Sequence, residues 1–181
     1  MRTKVGVMGS AAPDSARLDS GRVLVEKAEQ LAQAIAKRDV VLFTGATTGL
    51  VYVVGKAAHD AGCFHVGISP ASNELEHVEL YHLPMDACDT LVYTGFGLKG
   101  RNVVLVRSAD IVLFVAGAMG SLNEFTIAHD EGKIIGCLTG TGGVADESEF
   151  LLQKFGKRAT TSRVFTNEDP EKLIEQCLAA R

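Results

Sequence analysis

The run Ala116-Gly117-Ala118-Met119-Gly120-Ser121-Leu122-Asn123-Glu124 places small residues, a hydroxyl and a carboxylate where an anion site needs them. It follows the apolar stretch Asp110-Ile111-Val112-Leu113-Phe114-Val115, which reads as a buried parallel strand. It opens a segment from Leu122 to Glu131 with helical spacing and a stop at Gly132. A strand that turns through small residues into a helix presents unpaired N–H groups and the positive end of a helix dipole, a ready seat for phosphate. Gly117, Ala118, Met119, Gly120 and Ser121 are therefore candidate phosphate-binding residues, and Glu124, one turn further on, is a candidate catalytic carboxylate. A structural reading of Glu124 carries equal weight: Ser121-x-x-Glu124 is a capping box, with serine capping the helix and glutamate bonding back to the serine N–H. Arg101, at the start of the preceding helical pattern, falls at the same sheet end and can grip a phosphate or pair with Glu124.

Three further glycine turns follow strands: Gly9-Ser10-Ala11, Gly45-Ala46-Thr47-Thr48-Gly49 and Gly140-Thr141-Gly142-Gly143. One such turn is only a sharp bend. Several at one end of a sheet, bearing the Ser10, Thr47, Thr48 and Ser121 hydroxyls, point to an anion-accepting rim, and Gly9, Ser10, Gly45, Ala46, Thr47, Thr48 and Gly49 join the ligand-binding candidates. Gly95-Phe96-Gly97-Leu98-Lys99-Gly100 matches G-x-G-x-x-G, but it sits mid-chain and the next strand ends in Val115-Ala116-Gly117 without an acidic residue for a ribose. No P-loop or nucleophile-elbow motif is present. His77 and His82, with Glu74, Glu76, Glu79 and Asp86, match no metal-ligand spacing and read as a solvated acidic loop, so no metal site is expected. His59, His65 and His129 fall on helical or strand patterns and read as structural.

Short apolar runs that alternate with helical patterns must position these residues. Strands are predicted at Lys4–Met8, Val40–Phe43, Phe64–Ile68, Leu91–Tyr93, Ile111–Val115, Ile134–Leu138 and Arg163–Phe165. Helices are predicted from about Asp19 to Arg38, with Leu24, Ala28, Leu31 and Ile35 on one face, and over Gly49–Ala61, Arg101–Ser108 and Leu122–Glu131. Asp169-Pro170 caps a last one. The expected fold is α/β: a single Rossmann-like, doubly wound, mainly parallel sheet of about seven strands with helices on both faces, spanning residues 1–181 as one domain. Ligands of such sheets bind at the carboxyl ends of the strands near the switch in strand order. Ser69 to Ala87 reads as one long irregular segment.

The net charge of −4 argues against nucleic-acid polymers as partners but leaves a mononucleotide open. The four cysteines show neither CxxC pairing nor zinc spacing, which predicts reduced thiols and a cytoplasmic protein. The opening MRTKVGVMGSAAP has too short an apolar run for a signal peptide, and Pro13, Asp14 and Arg17 follow at once, so a first strand is expected. The charge-free stretch from Val40 to Gly55 is broken by Thr44-Gly45-Ala46-Thr47-Thr48-Gly49, so no membrane span is expected.

Together, KVGVMGS, FTGATTGL with GKAAHDAG, GRNVVLVRSAD, AGAMGSLNE and LTGTGG resemble the LOG (Lonely-guy), or "lysine decarboxylase-like", family within the SLOG nucleotide-binding proteins. The RN-x5-SAD segment is similar to a bacterial and archaeal subfamily that molybdenum cofactor carrier proteins also resemble. The resemblance, from Val5 to about Gly143, implies nucleotide binding and hydrolysis of the N-glycosidic bond of nucleoside 5′-monophosphates. Carried over by the P-G-G-x-G-T-x-x-E motif, it implies that Glu124 and Arg101 are catalytic and that Gly117 to Ser121 hold the phosphate. It also implies a homodimer or higher homo-oligomer. The chain departs from the motif at Ala116, Ala118 and Ser121. The methyl of Ala118 stands where backbone would approach phosphate, which keeps open a non-enzymatic carrier or sensor of a phosphorylated ligand such as molybdenum cofactor. No cofactor is required on either reading; the bound species would be a nucleotide monophosphate or molybdenum cofactor.

Overall fold

The computed structural model describes residues 1–11 and 19–181, without the side chains of residues 19 and 20. Pro13, Asp14 and Arg17 therefore lie outside the described residues. Seven strands, β1 Thr3–Gly9, β2 Val40–Thr44, β3 Phe64–Ser69, β4 Thr90–Tyr93, β5 Ile111–Val115, β6 Ile134–Leu138 and β7 Arg163–Asn167, form one sheet of order β4-β3-β2-β1-β5-β6-β7. Every pairing is parallel. The helices are α1 Asp19–Ala36, α2 Gly49–Asp60, α3 Gly97–Ser108, α4 Met119–Asp130, α5 Gly143–Phe155 and α6 Pro170–Ala179.

The pleat sorts β5 between two cores. Ile111, Leu113 and Val115 pack with Ala28, Leu31 and Ile35 of α1, Leu50 and Val54 of α2, and Leu173 and Cys177 of α6. Val112 and Phe114 face the other way, with Leu105 of α3, Phe125 and Ala128 of α4, and Val144 and Ala145 of α5. Phe114 and Phe125 meet edge to face at 5.5 Å between centroids. A central strand buried on both faces has no polar alternation, which is why its sequence is continuously apolar.

Strand order reverses between β1 and β5: from β1 the chain winds outward through β2, β3 and β4, then crosses back to β5 and winds the other way. A crevice opens at the carboxyl ends of strands at such a switch. Gly9 makes β1 and β5 fit there. A Cβ on it would stand 2.2 Å from the Val115 carbonyl oxygen, which instead accepts from Ser10 N–H at 3.2 Å.

Three expectations change. α5 has no counterpart in the sequence reading; only Val144, Ala145 and Ser148 are buried along its 13 residues, so its apolar stripe is narrow. α3 and α4 begin earlier than predicted, at Gly97 and Met119. The segment after β3 contains a π-helical turn, Glu76–Leu80, and is pinned from beneath by histidines. His77 is fully buried between the Ser69 hydroxyl (2.8 Å) and the Pro84 carbonyl (3.1 Å), and so does not belong to a solvated loop. His65 is likewise held between the Thr44 hydroxyl and the Ala87 carbonyl, and burial pulls it down to about 4, so it is neutral at physiological pH. All four cysteines are free thiols; burial pushes Cys137 and Cys177 up to about 12. No described helix is long and apolar enough to cross a membrane.

Candidate functional site

The loops after β1, β2 and β5 and the first turns of α3 and α4 enclose a cavity of about 280 Å³ at the switch point. Gly9, Ser10, Gly45, Thr47, Arg101, Ala118, Gly120, Ser121 and Glu124 line it, so residues far apart in the chain meet on one surface. Ala46, Thr48, Gly49, Gly117 and Met119 are not among the lining residues, and several of them support the walls. The Thr48 hydroxyl donates to the Ala11 carbonyl at 2.6 Å, and Leu50 N–H, just past Gly49, donates to the Ser10 carbonyl at 2.9 Å. Ala46 N–H donates to the Thr44 hydroxyl, the Gly117 carbonyl accepts from Val144 N–H at 3.0 Å, and Met119 is 75% exposed. The Gly140–Gly143 turn does not reach the cavity. It braces the β5–α4 loop instead, through Thr141 Oγ1, which accepts from Ala116 N–H at 2.8 Å.

The deepest polar feature is an ion pair, Arg101 Nη1 to Glu124 Oε1 at 3.5 Å, with each residue 6% exposed. Among the described residues these are the only buried members of the Asp, Glu, Lys and Arg set. Room for the guanidinium is made by Gly45, where a Cβ would lie 2.1 Å from Nη1. Arg101 Nε is buried without a hydrogen-bond partner. Burial pushes the Glu124 carboxyl up to about 7, against the opposing pull of Arg101 and Lys99, and burial also draws Arg101 below its ordinary value. With its amide turned to satisfy both ends, Asn102 donates to Glu124 Oε1 and to the Leu98 carbonyl, each at 3.0 Å.

The capping box does not form. Ala118, in extended conformation, is the N-cap of α4 and supplies no side-chain bond; the first internal bond is Leu122 N–H to the Ala118 carbonyl at 2.9 Å. Ser121 lies inside the helix and its hydroxyl donates to the Gly9 carbonyl at 3.0 Å, tying α4 to the end of β1. Glu124 is thereby released from capping and engaged with Arg101. The amides of Met119, Gly120 and Ser121 precede the first helical bond and form the positive end of α4. Ala116 has φ +54°, a value that proline, fixed near −65°, cannot adopt. A proline at this position would require a different backbone course.

The sequence reading missed Leu98, Lys99, Asn102 and Leu105, which also line the cavity. Leu98, Arg101, Asn102 and Leu105 recur at three- and four-residue spacing on one face of α3, a signal available around Arg101. Lys99 falls outside that pattern. Among the described residues no group of three or more His, Cys, Asp or Glu side chains could hold a metal.

The profile of the SLOG cluster4 family matches residues 2–174. The chain belongs to that family. Three solved structures resemble this SLOG protein over almost their whole length and its own. The structural-genomics target TM1055 is 25% identical with TM-score 0.82, covering 99% of each chain. The molybdenum cofactor binding protein from the phototrophic bacterium Rippkaea orientalis is 26% identical with TM-score 0.76, covering 99% of this chain and 98% of its own. The molybdenum cofactor carrier protein from Chlamydomonas reinhardtii is 25% identical with TM-score 0.73, covering 98% and 99%.

Two outcomes follow for the buried pair. In the wild type the folded state holds the Glu124 proton more tightly than the unfolded chain, so this residue's contribution to stability falls as pH rises from 4.5 to about 7 and is level above. Glu124→Gln removes that loss: the melting temperature of the variant relative to wild type is expected to climb across that window, and a pH-independent difference contradicts the burial effect. Gly45→Ala drives the guanidinium from its seat, with an expected stability loss of roughly 3 kcal/mol in denaturant unfolding, the scale for breaking a buried ion pair.

Proposed function

We propose that the cavity binds the phosphate end of a phosphorylated small molecule and that the protein acts as its carrier, with molybdenum cofactor as the favoured cargo. The observation that supports this is the convergence of the α4 N-terminus, Lys99 and Arg101 on one cavity. The Glu124 carboxyl, pushed up to about 7, offsets that positive charge only in part. The volume of 280 Å³ is just below the range of about 300–1,000 Å³ usual for small-molecule pockets. It suits a phosphate and the adjoining ring, with the rest of the ligand lying in the open mouth. The full-length likeness to two proteins described as binding or carrying molybdenum cofactor favours this cargo over others.

A second reading, hydrolysis of nucleoside 5′-monophosphates, is favoured by one observation: Glu124 faces the cavity and titrates near neutrality, where a general acid–base works best. In that reaction the N-glycosidic bond breaks with its electrons leaving on the base, water adds to the sugar C1′, and the base takes up a proton. A carboxylate beside C1′ stabilises the oxocarbenium-like transition state, while the loop amides and the cations hold the phosphate.

Carriage is tested by the lifetime of molybdenum cofactor in air with saturating protein, expected to be lengthened; an unchanged lifetime contradicts it. Hydrolysis is tested by chromatography of adenosine 5′-monophosphate incubations. Free adenine that disappears in Glu124→Ala supports the enzyme, and absence of base from every nucleoside 5′-monophosphate rules it out.

A further inference from the structure

Lys99 sits at a helix start, where the only carboxylate that offsets it among the described residues is Glu124, already paired with Arg101. The lysine occupies the first turn of α3, where a cation opposes the helix dipole. Its ammonium also hangs over the first turn of α4: a methyl on Gly120 would lie 3.4 Å from Nζ. The positive ends of two helices and a lysine therefore share one corner of the cavity, with the Arg101 guanidinium behind them. Among the described residues Lys99 has no carboxylate within ion-pair distance and makes no hydrogen bond. The nearest candidate counter-charge, Glu124, is already engaged by Arg101. Arg101 itself keeps a buried Nε without a partner on the same cavity wall. Among the described residues the one carboxylate that offsets Lys99 is Glu124, which Arg101 already engages, and a bound anion supplies a partner of its own.

We infer that Lys99 is the residue that selects phosphorylated over unphosphorylated ligands, closing over a phosphate seated on the α4 amides. This rests on the phosphorylated-ligand reading above and adds the residue that discriminates. A phosphate at the α4 N-terminus receives N–H bonds from the first turn and a charge-assisted bond from the ammonium, while Arg101 holds Glu124 away from it. An ammonium acts as a mobile point charge, so the site would tolerate phosphates on differently shaped ligands.

The test is calorimetric titration of wild type, Lys99→Ala and Lys99→Arg with inorganic phosphate, adenosine 5′-monophosphate and adenosine. Lys99→Ala is expected to bind the two phosphate-bearing probes about tenfold more weakly, the scale of one charge-assisted hydrogen bond. Any binding of adenosine should be unchanged, Lys99→Arg should retain most of the affinity, and the melting temperature of Lys99→Ala should not fall. Wild-type binding of phosphate that Lys99→Ala retains in full overturns the role of Lys99 and leaves the phosphate reading standing. Failure of wild type to bind either phosphate-bearing probe overturns that reading, and the role of Lys99 with it.

Discussion

A buried arginine and a buried glutamate 3.5 Å apart are the constraint around which this end of the molecule is arranged. Taking two charges out of water can cost more than their pairing returns, and apolar residues of similar size often replace such a pair without loss of stability. The surroundings are nevertheless cut to fit them. Gly45 leaves out the Cβ that would strike the guanidinium, Asn102 reaches the carboxylate, and α3 and α4 pack so that the two side chains meet from different helices. The carboxyl rises toward neutrality while its partner keeps an unpaired Nε. Such groups are costly in a finished core and useful beside a cavity whose occupant completes them.

The sheet supplies the rest. Reversal of strand order between β1 and β5 opens the crevice, and glycine at position 9 lets Ser10 bond to the end of β5. The Ser121 hydroxyl ties the first turn of α4 to β1, and Thr141 with the start of α5 braces Ala116 and Gly117 from behind. The walls are thus fixed by bonds around the first turn of α4, whose Gly120 and Ser121 line the cavity. Membership of the SLOG cluster4 family and likeness to molybdenum cofactor binding proteins agree with this architecture.

Much of this was legible in the residues. Continuous apolar runs such as Ile111–Val115 announce a doubly covered parallel sheet, and small residues after strands mark where the chain turns at its carboxyl end. The partnership of Arg101 and Glu124 could be raised as an option because both stand at helix starts on the same sheet end. The capping box could not be decided from spacing. Ser121-x-x-Glu124 fits one whenever the helix starts at Leu122, and only the extended Ala118 moves that start back to Met119. Lys99 was missed because its neighbour across the cavity, Gly120, belongs to another helix. Helix α5 was missed because its buried stripe is short and built from small residues.

An amide-resolved NMR titration with inorganic phosphate tests the anion seat most directly. Saturable shifts of the Met119, Gly120 and Ser121 amides, with those of Gly140 to Gly143 moving far less, are the expected result. Unmoved amides at the start of α4 under saturating phosphate, or shifts spread evenly over all the glycine turns, would contradict an anion seat at that helix end.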